Sequence, residues 1–156
     1  MFMSITARLA ELGITLPNPP APVAAYVPFT IANNMVFISG QLPLENGAVK
    51  ITGKLGADVS IEQGIEAAHL CGLNILAQLN AACGGDLDKV ASCVRLGGFI
   101  ASTPDFYDQP KVMNGASELM QQVFGDTGKH ARAAVGVPCL PRNAAVEADG
   151  IFALKA

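Results

Sequence analysis

The sequence predicts an α+β fold, a single β-sheet carrying two helices on one face. Three observations predict it. Two long segments repeat apolar residues at helical spacing, Ile61-Ile65-Ala68-Gly72-Leu76-Leu79-Cys83 and Val112-Ala116-Leu119-Met120-Val123-Phe124. Short strand-like runs surround them in the order β-β-(β)-α-β-α-β-β after a small N-terminal helix. Finally, hydrophobic residues make up 51% of the chain and charged ones only 15%, against roughly 25–35% for a generously charged surface. Two helices cover one sheet face, so the other is left apolar and bare, and an oligomer is expected.

The elements follow in order. Ser4 to Leu12 reads as a short helix with Ser4 as its cap, Ile5, Leu9 and Leu12 as its stripe, and Gly13 as its stop. Pro17, Pro19, Pro20 and Pro22 make a stiff extended linker. Ala24 to Ile31 is a strand, with Tyr26 in it, Ala32-Asn33-Asn34 a turn, and Met35 to Ser39 the returning strand. Leu44-Glu45-Asn46-Gly47 is a turn signal before a short strand near Val49-Lys50. Ser60-Ile61-Glu62-Gln63 fits the capping box that opens the long helix, and Gly84-Gly85 ends it. Gly64 and Gly72 each cost a helix about 1 kcal/mol, which makes sense if that helix lies close on a sheet. Val90 to Ala101 is a long strand in which Gly97-Gly98 marks a bulge or a close backbone approach. The second helix starts around Pro110 and stops before Gly125. Two strand-like runs, Ala131 to Val137 and Ala144 to Asp149, then close the chain as a hairpin turning at Leu140-Pro141.

Composition excludes several function classes. The most apolar segment, Ile61 to Ala82, is interrupted by Glu62, Gln63, Glu66, His69, Asn74, Gln78 and Asn80, whereas a membrane span needs about 20 nearly uninterrupted apolar residues. Arg8 and Glu11 break the apolar stretch that a signal peptide would need, so a cytoplasmic protein is expected. Net charge is −3 with no basic block, a poor footprint for nucleic acid. Cys71, Cys83, Cys93 and Cys139 show neither C-x-x-C spacing nor close histidine pairing, so they read as buried free thiols rather than zinc ligands. No cofactor motif is present: no P-loop, G-x-G-x-x-G, G-x-S-x-G or H-E-x-x-H occurs.

Arg132 stands isolated in the uncharged run Ala131-Arg132-Ala133-Ala134-Val135-Gly136-Val137. A guanidinium among such residues needs a partner, either a protein carboxylate or that of a ligand. If the final hairpin turns near Pro141-Arg142, Glu147 sits opposite Val135. Arg132 then lies three residues along, about 10 Å away at the strand rise. That distance is long for a direct ion pair and suits a small molecule between the two side chains. On this pattern alone salt bridge and ligand clamp stay open. His130, beside this run, is either an acid–base group or a loop histidine, and His69 packs on a helix flank.

These residues together carry a resemblance. Ile38-Ser39-Gly40-Gln41-Leu42-Pro43, then Asn114, then Arg132-Ala133-Ala134-Val135, then Leu140-Pro141 and Val146-Glu147 resemble the signature of the RidA/YjgF family, also called L-PSP endoribonuclease-like. The match runs from about Tyr26 to Leu154, and Val112 to Ser117 and His130-Ala131-Arg132 point to a longer branch with an extra N-terminal helix. The resemblance implies one RidA-like domain over residues 1–156, with 1–22 as the extension. It also implies a chorismate-mutase-like mixed sheet, assembly as a homotrimer, and three ligand clefts between subunits. The implied activity is hydrolysis of reactive enamines and imines, 2-iminopropanoate and 2-iminobutanoate, to 2-keto acids and ammonia without a cofactor. Carried over by position, Arg132 clamps the substrate carboxylate, Glu147 positions or polarises water, and Tyr26, Ser39, Gly40, Asn114 and Ala134 line the cleft. The partners implied are a small carboxylate-bearing imine or keto acid and two further copies of the chain. Two departures bear on substrate: Ala134 stands where the family often has Cys, Ser or Thr, and Asp149 where type members have a second Glu. A non-catalytic carboxylate-binding protein and a ribonuclease or translation inhibitor are the competing functions within the family.

Overall fold

A computed structural model of the chain describes residues 2–21 and 25–156. Pro22 of the proline linker and Ala24, the expected start of the first strand, lie outside the described residues. The elements are α1 (Ile5–Glu11), β1 (Phe29–Ala32), β2 (Met35–Gln41), β3 (Leu44–Glu45), β4 (Ala48–Val49), α2 (Ile61–Ala82), β5 (Val90–Ala101), α3 (Gln109–Phe124), β6 (Ala131–Val137) and β7 (Val146–Leu154). Five strands form one sheet in the order β1-β2-β7-β5-β6, and β3 and β4 pair apart from it. Only β5 and β6 run parallel, so the sheet is mixed as expected.

Local chemistry places the boundaries. Ser4 accepts from the Ala7 N–H to cap α1, and Ser60 and Gln63 complete the reciprocal capping box of α2. Asn33 and Asn34 both take positive φ, which a tight two-residue hairpin between β1 and β2 requires. Asn46 and Gly47 do the same between β3 and β4. Tyr26 precedes the first strand instead of lying in it. Pro28 lacks an N–H and stands just before β1, though its carbonyl still accepts from Ser39 N at 2.9 Å.

The last two strands are not a hairpin. Each pairs with β5, on opposite sides: Phe99 is in register with Val135 of β6 and with Glu147 of β7. The expected level of Glu147 with Val135 therefore holds, but a whole strand separates them. The cause is α3, which returns the chain to the same end of β5 and makes β6 parallel to it. The chain then crosses back through Pro141–Asn143, where Arg142 and Asn143 take left-handed backbone, before β7 pairs antiparallel with β2 and β5. β7 also runs on past Asp149 through Gly150, where a Cβ would press on Phe152, Leu96 and Ile75.

The core lies between the helices and one sheet face, with Ile75, Leu76, Leu79, Leu96, Ile100, Met120 and Phe152 fully buried. Gly64 and Gly72 face α3, not the sheet as expected: a Cβ on them would meet Val112 and Leu119. Gly115 of α3 lies against the backbone of Ile65 and His69 in turn. Gly97-Gly98 is the close approach and not the bulge; the irregularities of β5 fall at Val90–Ser92 and Cys93–Arg95. Gly98 makes room for Met113 on the helix side, and Gly97 for Asp149 on the other. That other face is bare and largely apolar, with Phe37 and Val135 exposed. Cys71, Cys83 and Cys93 are buried and unpaired, but Cys139 is exposed, because the segment after β6 runs over the surface. Burial pushes the Cys93 thiol up to about 12, so it is inert near neutral pH.

The backbone contact at Gly115 predicts that Gly115→Ala destabilises the protein by about 1–3 kcal/mol despite the gain in helix propensity. Gly64→Ala, which meets only side-chain methyls, is expected to cost less. Urea midpoints of the two variants check this; equal midpoints would refute the close-packed helix pair.

Candidate functional site

Arg132 lies on the edge strand β6, in register with Leu96 and so on the helix side of the sheet. Its Nη1 donates to Asn114 Oδ1 at 2.9 Å and to Ser117 Oγ at 3.2 Å, both on α3. Asn114 and Ser117 are three residues apart, which puts them on one helix face. Among the described residues no carboxylate is within ion-pair reach of Arg132. A guanidinium carries five N–H groups, and Nη1 holds two of them. The Nε–H and the Nη2 pair stay unengaged, and Nε–H with one Nη2–H forms the parallel fork that accepts a carboxylate bidentately.

Behind this fork runs a chain of hydrogen bonds that the sequence reading did not contain. His130 Nδ1 is 2.7 Å from Gly128 O, and His130 Nε2 is 2.9 Å from Ser117 Oγ. A carbonyl only accepts, so Nδ1 carries the proton, and in the neutral ring Nε2 accepts from the Ser117 hydroxyl. Ser117 Oγ in turn accepts from Arg132. His130 is thus a loop histidine, and both of its ring nitrogens are engaged. The signal that could have found Ser117 is its spacing from Asn114.

A second group of residues gathers at the junction of β2 and β7. A cavity of about 280 Å³ is lined by Tyr26, Gly40, Gln78, Arg142 and Glu147, with Pro20 and Ala21 of the N-terminal extension on its wall. Gly40 leaves room for the Glu147 carboxylate, which a Cβ there would displace. Ser39 donates to Val27 O at 2.7 Å, so its hydroxyl anchors the Tyr26 segment. Buried Gln78 holds the extension by donating to Pro20 O at 2.8 Å. Burial raises the pKa of Glu147, and the charge of Asp149 raises it further. Asp149 is itself raised by burial, against the opposing effect of Arg95, 3.7 Å away.

The predicted site residues therefore fall into two groups within one chain. Tyr26, Gly40 and Glu147 share the cavity, with Ser39 behind them. Arg132 and Asn114 meet at the far edge, with Ala134 two residues on and packed against the core. Glu147 sits on the bare sheet face, since it is in register with Phe99 and Val135 there, while Arg132 sits on the helix side. Two strand spacings and three residues of rise separate them by roughly 14 Å. A larger hollow, about 470 Å³ at the carboxyl ends of β5 and β6, has Lys54 in its lining and, among the described residues, no carboxylate. Among the described residues no cluster of His, Cys, Asp or Glu could hold a metal ion, and no helix is long and apolar enough to cross a membrane.

Comparison with known proteins bears on what this arrangement is. The chain is 44% identical over 152 residues to Protein TCP17 of Trypanosoma cruzi, covering 97% of this chain and 94% of that one. The crystal structure of Atu1372 from Agrobacterium tumefaciens, a protein of unknown function, superimposes with a TM-score of 0.90 at 50% identity, over 98% of this chain and 94% of that one. The YjgF gene product of Escherichia coli superimposes with a TM-score of 0.61 at 26% identity, over 89% and 94%. The family model described as "YjgF/chorismate mutase-like, putative endoribonuclease" matches residues 6–152. With the ordered signature, the five-strand mixed sheet and its two covering helices, these matches establish that the chain belongs to the YjgF/RidA family.

Proposed function

We propose that the protein is an imine and enamine deaminase that hydrolyses 2-iminopropanoate and 2-iminobutanoate to 2-keto acids and ammonia. The observation that carries this reading is the Arg132 fork: half-buried, held by Asn114 and Ser117, and matched by no carboxylate of its own chain. The two half-sites, one at an edge strand and one on a bare apolar face, support assembly as a homotrimer in which Arg132 of one copy faces Glu147 of the next. Three unpaired buried cysteines accord with a reducing compartment such as the cytoplasm.

The reaction follows from the groups. The fork fixes the substrate carboxylate and thereby the adjacent C=N carbon. Glu147 takes a proton from water as the water oxygen bonds to that carbon, the C=N electron pair moves to nitrogen, and Glu147 delivers the proton there. The tetrahedral carbinolamine then collapses. Glu147 takes the hydroxyl proton as the keto C=O forms and passes it to the amino nitrogen, so the C–N bond breaks and ammonia leaves. The imine carbon is already electrophilic, so orientation and proton transfer suffice.

Arg132→Ala is expected to lower kcat/KM by about a hundredfold or more, on the order of 3 kcal/mol, in an assay that traps the keto acid formed from imine generated in situ. Unchanged turnover would exclude the clamp, and keto-acid binding by calorimetry without any turnover by the wild type would make the protein a binder.

Glu147→Gln is expected to lower kcat about 10²–10⁴-fold. The carboxylate is the working form, so activity rises with pH through the Glu147 pKa, and its raised value sets that acid limb above the ordinary glutamate range. Asp149→Asn removes one of the two causes of the rise and is expected to move the limb to lower pH. A pH–rate profile left in place by that substitution would uncouple the two carboxylates.

Light scattering is expected to give about 48 kDa, three times the 16.1 kDa chain. A monomer at working concentration would remove the shared cleft.

A further inference from the structure

We infer that Ser117 and His130 are positioning residues that hold Arg132 in the orientation its clamp requires. The structural part of this inference stands on geometry, and its effect on turnover rests on the proposed reaction.

The chain of contacts begins at a fixed point. Gly128 closes the 3-10 turn Gly125–Gly128, and its missing side chain lets it lie on the Met120 backbone, so its carbonyl has a set place relative to α3. That carbonyl receives His130 Nδ1–H at 2.7 Å. His130 Nε2 receives the Ser117 hydroxyl at 2.9 Å, and Ser117 Oγ receives Arg132 Nη1–H at 3.2 Å. Each group accepts once from the next, and the run ends on the one nitrogen that also donates to Asn114.

Ser117 is buried, at 7% exposure. A serine in the middle of a helix usually bonds back to a carbonyl one turn earlier. This one instead points across to β6 and spends both its donor and its acceptor there. With two acceptors on Nη1, the guanidinium plane is fixed about Nε–Cζ, and Nε–H and Nη2–H are left side by side. With Asn114 alone, an exposed residue, the plane can swing and the parallel fork is populated only part of the time. The His130 ring matters because it orients the hydroxyl. Once Ser117 donates to Nε2, its lone pairs face Arg132.

A purely structural role, sealing the loop between α3 and β6, would give stability effects alone. Two readouts separate the roles. The first is the ¹⁵N–¹H spectrum of the Arg132 guanidinium, which reports rotation about Nε–Cζ and needs no activity. Separately resolved Nη signals are expected in the wild type. They should merge in Ser117→Ala and in His130→Leu, and persist in Ser117→Thr, which keeps the hydroxyl, and in His130→Gln, which keeps an acceptor. The second is the kinetic split. A clamp on the carboxylate acts in ground and transition states alike, so Ser117→Ala and His130→Leu are expected to raise KM about five- to tenfold with kcat within about twofold of wild type. Ser117→Thr and His130→Gln are expected to restore KM to within about twofold.

Guanidinium signals unchanged in both disruptive variants overturn the inference, whatever the activity. Unchanged KM in both, with Arg132→Ala inactive, overturns it while leaving the deaminase reading intact. If the wild type turns over no imine, the deaminase reading fails, and merged Nη signals in the variants still establish the positioning.

Discussion

Gly115 lying on the backbone of Ile65 and His69 fixes how far α3 can sink onto α2, and the candidate site inherits its geometry from that contact. No side chain fits between the two helices there, so both the separation and the rotation of α3 are set. The rotation puts Met113 into the space over Gly98 of β5, where only glycine leaves room. One residue on, Asn114 projects past the sheet edge, and one helical turn on, Ser117 faces β6. The same rotation therefore buries Val112, Ala116, Leu119 and Met120 in the core and aims two polar groups at Arg132. Packing and site are one arrangement here, since a shift of α3 that disturbed the core would also release the guanidinium.

The electrostatics show what such a placement is good for. A charged group half out of water is costly unless it is hydrogen-bonded, and Arg132 receives only two neutral acceptors, both on one nitrogen. Glu147 is in the mirror situation, with its ionised form opposed by burial and by Asp149 and, among the described residues, no cation in ion-pair contact. Had the two been neighbours, they would have paired and satisfied each other. β5 between them prevents it. Under the proposed assembly each is completed by another copy and by the substrate between them, which gives subunit contact and substrate binding a common cause.

Much of this was legible in the chain, for definite reasons. The capping box at Ser60, the prolyl start of α3 and the paired asparagines at 33–34 act through local backbone chemistry, and the structure realises each where it was read. The exposed Phe37 and Val135 fulfil what a low charge fraction required. The failures are non-local. A strand–turn–strand pattern in the last segment looks identical whether its strands pair with each other or both flank a third, and only the crossover through α3 decides it. Gly64 and Gly72 announced a close approach but not what approaches. The Ser117–His130 pairing joins α3 to the start of β6, and nothing in either segment alone names the other. Of the predicted site residues, Arg132 and Asn114 meet through a 2.9 Å hydrogen bond, and the Ser39 hydroxyl bonds Val27 O beside Tyr26.

The two departures from the family signature lie beside the candidate chemistry without entering it. The Ala134 methyl is partly buried and packs against the core. Asp149 is the shorter acid and stays over Gly97 beside Arg95, outside the cavity that holds Glu147, where its influence is a charge felt at a distance. Under the proposed reaction, that leaves Glu147 as the carboxylate that moves protons and the Arg132 fork as the group that holds the substrate. On the wall of that cavity Gln78 donates to Pro20 O, Ala21 and Tyr26 lie beside it, and Arg142, on left-handed backbone, contacts Gly47 O at 3.4 Å. Under the proposed reaction, this wall bounds the space open to a substrate beside Glu147.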